Sequence, residues 1–136
     1  LPGAVTARYV RNEFGHVASI SDPNRATWLR AYDSSGRLRG LTDPLSRSTS
    51  LTYNDRQRVS EVTFPTGSVL LTYDAANRLT ARSFSDGLVE PFTHDAAGRL
   101  TSARGAIFRY DAAGQLTNSN GLALTYDAAG RLASVT

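Results

Sequence analysis

An internal repeat is the feature that most constrains how this chain can fold. The pattern Tyr-Asp-x-x-Gly-Arg-Leu recurs at intervals of 21, 21, 20, 21, 16 and 16 residues. Counted from the tyrosine position, the copies begin at Arg11, Tyr32, Tyr53, Tyr73, His94, Tyr110 and Tyr126. Self-similarity of this length indicates an array of small supersecondary units. We therefore expect residues 1–136 to form a single array of about seven repeats.

Each copy has the sequence of a β-hairpin. Alternating stretches rich in β-forming residues stand before and after the motif. The aspartate at the first turn position can accept hydrogen bonds from the backbone ahead, and a left-handed residue then closes the turn as a bulge. Glycine fills that closing position in most copies, and Asn77 fills it in one. Gln57 fits it poorly, so we expect that turn to be distorted.

The turn leaves a loop of three residues between the aspartate and arginine positions of the motif. A loop of this length also predicts which residues pair across each hairpin. In the copy that begins at Tyr73, this tyrosine should lie opposite Leu79, and Thr72 should lie opposite Thr80. One face of a hairpin then carries a Tyr–Leu pair and the other an Asp–Arg pair. Such pairs contribute roughly 0.2–1 kcal/mol each, so a single hairpin needs neighbours.

The residues expected to carry this repeat structure share the tyrosine, aspartate, closing and leucine positions of the motif. They are Tyr32, Asp33, Gly36, Leu38, Tyr53, Tyr73, Asp74, Asn77, Leu79, Asp95, Gly98, Leu100, Tyr110, Asp111, Gly114, Leu116, Tyr126, Asp127, Gly130 and Leu132.

Further turn sequences between the copies return the chain to the next tyrosine position. They include Asp22-Pro23, Asp43-Pro44, Pro65-Thr66-Gly67, Asp86-Gly87, Arg104-Gly105 and Asn120-Gly121. We expect these return turns to be looser than the motif turns, with shorter strands and tighter returns where the spacing falls to 16 residues. No sustained helical period occurs. The predicted fold is all-β: about fourteen strands in a curved or spiralling antiparallel sheet.

Composition excludes several classes of function. All 15 basic residues are arginines, scattered among 12 acidic ones without a basic run, so we expect no nucleic-acid binding. The chain has no cysteine, which excludes disulfides and cysteine-based sites. No apolar stretch approaches the roughly 18 residues of a membrane-spanning helix.

The acidic residues and histidines do not suggest an enzyme. The aspartates recur at one turn position, which is typical of a structural role, whereas catalysis normally needs a single site. His16 and His94 each replace a repeat residue and lie in distant units, so no metal site is expected. We expect no catalytic residue, cofactor or metal.

Binding through aromatic or basic side chains is the competing interpretation. The rings concerned are Tyr9, Trp28, Tyr32, Tyr53, Tyr73, Tyr110 and Tyr126. They could stack on sugars, but rings at every repeat favour packing between neighbouring units. Arginines that are expected to be unpaired include Arg30, Arg39, Arg82, Arg104 and Arg109. These would have to gather on one face for glycan binding to gain support.

The repeated Tyr-Asp-x-x-Gly-Arg-Leu with its return turns resembles the YD repeat of bacterial Rhs proteins, toxin-complex B and C components and teneurins. The resemblance implies a spiral β-shell that, in bacterial members, encloses a toxic C-terminal polypeptide. It implies that this chain is a section of shell wall in a larger secreted or cell-surface protein, with a carbohydrate-binding or adhesion module as the alternative. Expected partners are further YD repeats or other copies through sheet edges, and an enclosed toxin polypeptide or a glycan.

Overall fold

The computed structural model describes residues 6–136 as strands joined by turns, with no helix among them. Any part of the predicted array before Thr6 lies outside the described residues. Fourteen strands follow one another in chain order in one open antiparallel sheet, which confirms the predicted all-β fold. The strands are β1 (Arg8–Arg11), β2 (Val17–Ser21), β3 (Thr27–Tyr32), β4 (Leu38–Thr42), β5 (Ser48–Tyr53), β6 (Val59–Phe64), β7 (Gly67–Tyr73), β8 (Leu79–Phe84), β9 (Val89–His94), β10 (Leu100–Ala103), β11 (Ala106–Tyr110), β12 (Leu116–Ser119), β13 (Leu122–Tyr126) and β14 (Leu132–Val135).

The chain divides into two compact units. The first unit contains the residues up to Leu70 together with Phe84–Asp86, and the second contains Leu71–Ser83 and Gly87–Thr136. Strands of the first unit are mostly five to seven residues long. From β10 onward the strands have four or five residues, as the shorter spacing predicts.

The motif turns have the predicted hydrogen bonds. In the second hairpin the Asp33 N–H donates to the Arg37 carbonyl at 2.9 Å, and the Gly36 N–H donates to the Asp33 carbonyl at 3.0 Å. Gly36 has a φ of 78°, which is the left-handed conformation that closes the turn. The other motif turns repeat both bonds.

The turn closed by Gln57 is regular, so the prediction that it would be distorted was wrong. Its Asn54 N–H donates to the Arg58 carbonyl, and the Gln57 N–H donates to the Asn54 carbonyl, each at 2.9 Å. Gln57 has a φ of 61°, next to 62° for Asn77. A single left-handed residue costs about 1–2 kcal/mol, which the hydrogen bonds of the turn offset.

The pairing of the strands contains an irregularity that the sequence did not indicate. Tyr32 pairs with Leu38 as predicted, but Ala31 pairs with Gly40, which leaves Arg39 as an extra, bulged residue. The same shift recurs in the hairpins β1–β2, β5–β6, β9–β10, β11–β12 and β13–β14.

In all these hairpins the residue before the tyrosine position does not face the residue after the leucine position. The pairing predicted for Thr72 and Thr80 therefore does not occur at the equivalent positions of these hairpins. In their own hairpin, the hydroxyl oxygens of Thr72 and Thr80 lie 3.2 Å apart. A bulge of this kind locally increases the twist of a hairpin, which alternation of residue types does not reveal.

The return turns are as tight as the motif turns, contrary to the prediction. Asp22 and Asp43 close their turns as the motif aspartates do, with N–H groups 3.0 Å from the carbonyls of Ala26 and Arg47. Later returns are shorter still. Asn120 and Gly121 both have positive φ, 49° and 96°, as do Arg104 and Gly105, at 50° and 82°. Two left-handed residues in succession match the twist of the flanking strands.

The two faces of the sheet differ in chemistry. We call the side that carries the motif tyrosines the tyrosine face. In the first unit it continues through the register pairs Ile20–Trp28, Leu51–Val62 and Val62–Val69. On the opposite side, which we call the hydroxyl face, serine and threonine predominate among scattered apolar residues. Their hydroxyls pair across strands, as in Ser21–Thr27 at 2.8 Å and Thr42–Ser48 at 3.1 Å.

Side chains pack laterally along the sheet and do not enclose a core. Among the described residues Val69, 8% exposed, is the buried hydrophobic residue, and no large side chain is fully buried. On the tyrosine face of the first unit, Trp28, Leu41 and Phe64 remain 40%, 39% and 43% exposed. Each unit is therefore a single layer of strands whose apolar side is partly open.

Candidate functional site

The motif aspartates accept hydrogen bonds within their own turns. The Asp33 Oδ1 accepts hydrogen bonds from the backbone N–H groups of Ser35 and Arg37, both at 2.9 Å, and its Oδ2 accepts from the Arg37 Nε at 2.7 Å. Nε–carboxylate bonds of 2.6–2.8 Å also join Asp43–Arg47, Asp74–Arg78, Asp95–Arg99 and Asp127–Arg131. These bonds correspond to the turn-capping role that the repeat predicts, and Asp43, which lies in a return turn, makes the same ones.

These bonds favour the ionised carboxylate. The backbone N–H of Arg37, followed by its side chain, lowers the pKa of Asp33 against the opposing effect of desolvation. The pKa values of Asp43, Asp74 and Asp127 are lowered in the same way, and the side chain of Arg99 is the main cause for Asp95. A carboxyl group held in this state is a poor proton donor near neutral pH.

The motif tyrosines connect each hairpin to the one before it. The Tyr32 hydroxyl donates to the Val17 carbonyl at 2.9 Å, and the Tyr53 hydroxyl donates to the Leu38 carbonyl at 2.6 Å. In the second unit the matching bonds are Tyr110–Leu100, 2.8 Å, and Tyr126–Leu116, 2.9 Å. The rings are half-buried, so these contacts favour packing between repeats over display to a ligand.

The motif arginines reach in the opposite direction, to the next hairpin. Arg37 places its guanidinium carbon 4.5 Å from the Tyr53 ring centroid, and Arg99 lies 4.8 Å from that of Tyr110. The Arg99 Nη1 also donates to the Asp111 carbonyl at 3.1 Å. The sequence indicated only the pair within each turn; the contact with the next repeat depends on how successive hairpins align.

The remaining motif residues take the positions that the repeat predicts, with some variation. Asp111 faces Gln115 in place of an arginine, and the Gln115 Nε2 donates to the Gly130 carbonyl at 3.1 Å. The motif leucines Leu38, Leu79, Leu100 and Leu116 are half-buried. Leu132 is 54% exposed. His94 takes the tyrosine position opposite Leu100.

An ion cluster around a buried carboxylate in the second unit was not predicted. Glu90 is 7% exposed, and its carboxylate oxygens lie 2.6 Å from the Arg82 Nη2 and 3.0 Å from the Arg104 Nε. Arg82 also stacks at 5.2 Å on the Phe92 ring. These two arginines were expected to lack a carboxylate partner, and that expectation was wrong because the register brings Glu90 opposite Arg82.

The other arginines that could attract a ligand differ in orientation. Arg30 has the strand parity of Tyr32, Arg39 is the bulged residue of its hairpin, and Arg109 has the parity opposite to Tyr110. Glycan binding would gain support if these arginines gathered on one face of the sheet. Their positions along the strands do not place them on one face.

One groove on the tyrosine face of the first unit offers an exposed aromatic ring. It encloses about 450 Å³ between Trp28, Leu41 and Thr49, with the Asp43–Arg47 pair and Pro65 at its edge. An aromatic platform beside polar groups is a common arrangement for binding a small ligand.

Within residues 6–136, no three histidine or acidic side chains come close enough together to hold a metal ion. No helix in the same range is long and apolar enough to cross a membrane.

The geometry defines a tandem array of hairpins linked by tyrosine and arginine contacts, and comparison with known proteins identifies the family. The RHS repeat model matches residues 32–69, 53–89, 73–106 and 108–136. This chain belongs to the RHS repeat family.

Individual relatives are much longer than this chain. Teneurin-1 of Caenorhabditis elegans is 34% identical over 85 residues, covering 60% of this chain and 3% of the teneurin. A TcdB2-TccC3-Cdc42 crystal structure matches 97% of the chain with a TM-score of 0.80 and 17% identity. The Tc holotoxin pore of Photorhabdus luminescens matches 96% with a TM-score of 0.82 and 17% identity. This chain spans 9% of each of those two solved chains, and the likeness shows the fold.

Proposed function

We propose that this chain is a wall segment of an RHS-repeat shell that encloses a C-terminal toxin polypeptide and helps to deliver it. The shell would be a longer bacterial protein, secreted or at the cell surface. The observation that carries the proposal is the single-layered sheet, with an apolar tyrosine face that its own residues cover only in part. A contiguous exposed apolar surface is typical of surfaces that contact another polypeptide.

One of the solved structures supports the link to a toxin. The Photorhabdus luminescens structure is a Tc holotoxin pore, and the same hairpin fold recurs in it and in the TcdB2-TccC3-Cdc42 structure. The proposed role is structural and not enzymatic, because the aspartates that recur with an arginine partner serve their turns, where backbone N–H groups and arginines hold them ionised. A fold by itself does not determine a function, so enclosure needs its own test.

Protease protection tests the enclosure directly. The longer protein that contains this segment should shield its C-terminal polypeptide from protease. Gly36→Val, which forces a branched residue into a φ of 78°, should make that polypeptide sensitive. Ser34→Ala, at an exposed position of the same turn, is the matched control. A C-terminal polypeptide that is cleaved as fast in the intact protein as when produced alone would contradict the proposal.

Carbohydrate binding is a second candidate, favoured by the groove at Trp28. The exposed indole, the Thr49 hydroxyl and the Asp43–Arg47 pair supply the stacking surface and polar groups that sugar rings use. A glycan array probed with this chain, followed by titration of any hit, tests the idea. Trp28→Ala should abolish binding, whereas Phe14→Ala, another exposed aromatic site, should not. Equal binding by both variants would reject the groove as the site.

A further inference from the structure

The return turn between β12 and β13 consists of an asparagine followed by a glycine. Ser119 pairs with Leu122 across the turn, so Asn120 and Gly121 are its two residues. Both are exposed, and their φ values of 49° and 96° are left-handed. An exposed turn of this kind lies where water and local motion reach the backbone most readily.

The backbone nitrogen of Gly121 is open to an approaching group. Its N–H donates to the exposed Asn118 Oδ1 at 3.2 Å, which is the long end of the usual range, and to no backbone carbonyl within residues 6–136. A Cβ built on Gly121 would meet nothing within 4 Å apart from the glycine's neighbours in the chain. The space around this nitrogen therefore permits a ring to close on it.

The Asn120 carboxamide is not held in place either. Among the described residues it has no hydrogen-bond partner. Other asparagine side chains are used by the fold: those of Asn12 and Asn54 accept turn N–H groups in place of a motif aspartate, and that of Asn118 accepts the bond from Gly121. The Asn120 side chain can therefore turn towards the backbone without breaking a contact.

Two other turns separate the effect of the dipeptide from the effect of the turn. Asn24 is also exposed in a return turn, but Arg25 follows it, and a side chain there crowds the backbone nitrogen. Arg104 and Gly105 form another two-residue turn, with φ values of 50° and 82°, without an asparagine. Asn120 is the one asparagine of the sequence that precedes a glycine, and such a turn does not require it.

We propose that Asn120 is a site of spontaneous modification in the folded chain, where it converts through a succinimide to aspartate and isoaspartate. The Gly121 nitrogen bonds to the Asn120 Cγ, the Cγ–Nδ2 bond breaks, and Nδ2 leaves as ammonia with the proton that the Gly121 nitrogen gives up. Proximity favours this step, because the two groups belong to adjacent residues. Water then opens the ring at either carbonyl, so that one water is consumed for each ammonia released.

The isoaspartate product changes the hairpin. Opening of the ring at the main-chain carbonyl leaves a main chain that runs through the Cβ and Cγ of residue 120, which lengthens the turn by a methylene. A two-residue turn determines the register of its strands by its length and twist, so the pairing of Ser119 with Leu122 is lost and β12 separates from β13. The pairing of β13 with β14 does not pass through this turn and remains.

Peptide mapping by mass spectrometry of the folded chain, held in a mildly alkaline buffer, tests the proposal. The Asn120 peptide should be lost and replaced by two products, each one charge unit below the +3 of the unmodified chain, and the isoaspartate product should accept a methyl group from an isoaspartate methyltransferase. The Asn24 peptide should persist. Hydrogen exchange of the reacted chain should show a loss of protection at β12–β13, whereas β13–β14 keeps its protection.

Two variants and an unfolded sample complete the experiment. Asn120→Arg, which copies the turn at Arg104, cannot form the ring and should show neither the products nor the loss of protection. Asn24→Arg is the matched control and should leave the reaction at Asn120 unchanged. A folded chain that keeps Asn120 while the urea-unfolded chain loses it overturns the proposal, because the fold would then protect the site. Equal loss at Asn24, or full protection of β12–β13 in the isoaspartate product, overturns it as well.

Discussion

At the residue scale, the motif side chains each serve both their own turn and a neighbouring repeat. The motif aspartate closes its turn through backbone N–H groups and pairs with the arginine that reaches the next repeat. The tyrosine reaches back to the preceding repeat. These roles explain why the same few residue types recur at intervals of 16 to 21 residues, since each side chain must satisfy its own turn and contact a neighbouring repeat.

The aspartates predict how the fold responds to acid. Their pKa values are lowered in the folded protein, mainly by backbone N–H groups and arginines, relative to an unfolded value of about 3.9. The stabilisation they contribute is therefore complete above that value and is lost as the pH falls through the lowered folded values. Urea midpoints should hardly change between about pH 6 and 5 on this account and fall below about pH 4. A midpoint that rises below pH 4 would contradict this.

Removing one tyrosine hydroxyl tests the contact between hairpins. Tyr53→Phe deletes the 2.6 Å bond to the Leu38 carbonyl and should lower the free energy of unfolding by about 1 kcal/mol. Tyr9→Phe, in a ring that is 61% exposed, is the control and should change it little. Both values come from urea denaturation. Equal effects of the two substitutions would mean that the hydroxyl contact does not stabilise the array.

At the element scale, the sequence predicts hairpins well and their irregularities poorly. The motif turns and the Tyr32–Leu38 pairing follow from local rules, because a turn of defined length determines its first pair. The bulge at Arg39 and the regular turn at Gln57 do not, because they depend on twist and on hydrogen bonds that offset a local conformational cost. The contacts of Arg37 with Tyr53 depend on the alignment of separate hairpins and have no local signal.

The Glu90 cluster is the clearest tertiary feature that local rules miss. It ties β8 and β9 to the turn at Arg104, a residue with a φ of 50°. Glu90→Gln should lower the free energy of unfolding by about 1–2 kcal/mol, less than for a wholly buried pair because both arginines can reach water. Glu61→Gln, on the hydroxyl face, is the matched control in thermal or urea unfolding. A Glu90→Gln variant as stable as the wild type would show that the cluster is not stabilising.

At the scale of the whole molecule, the order of the strands is the property that defines the array. Every strand pairs with its neighbours in the chain, so the sheet can be extended by adding repeats without rearranging those already present. The family match across residues 32–106 and 108–136 agrees with this, and so does the recurrence of the fold within the much longer chains of the solved structures. The single layer of strands makes the tyrosine face available to whatever such a protein contacts.

Cross-strand nuclear Overhauser contacts measured on this chain in solution test the strand order most directly. The account predicts contacts between consecutive strands in the observed register, including Ile20 with Trp28, Leu41 with Thr49 and Val62 with Val69. Contacts that join strands out of chain order, or the short-range pattern of a helix, would contradict the hairpin array and the shell role that depends on it.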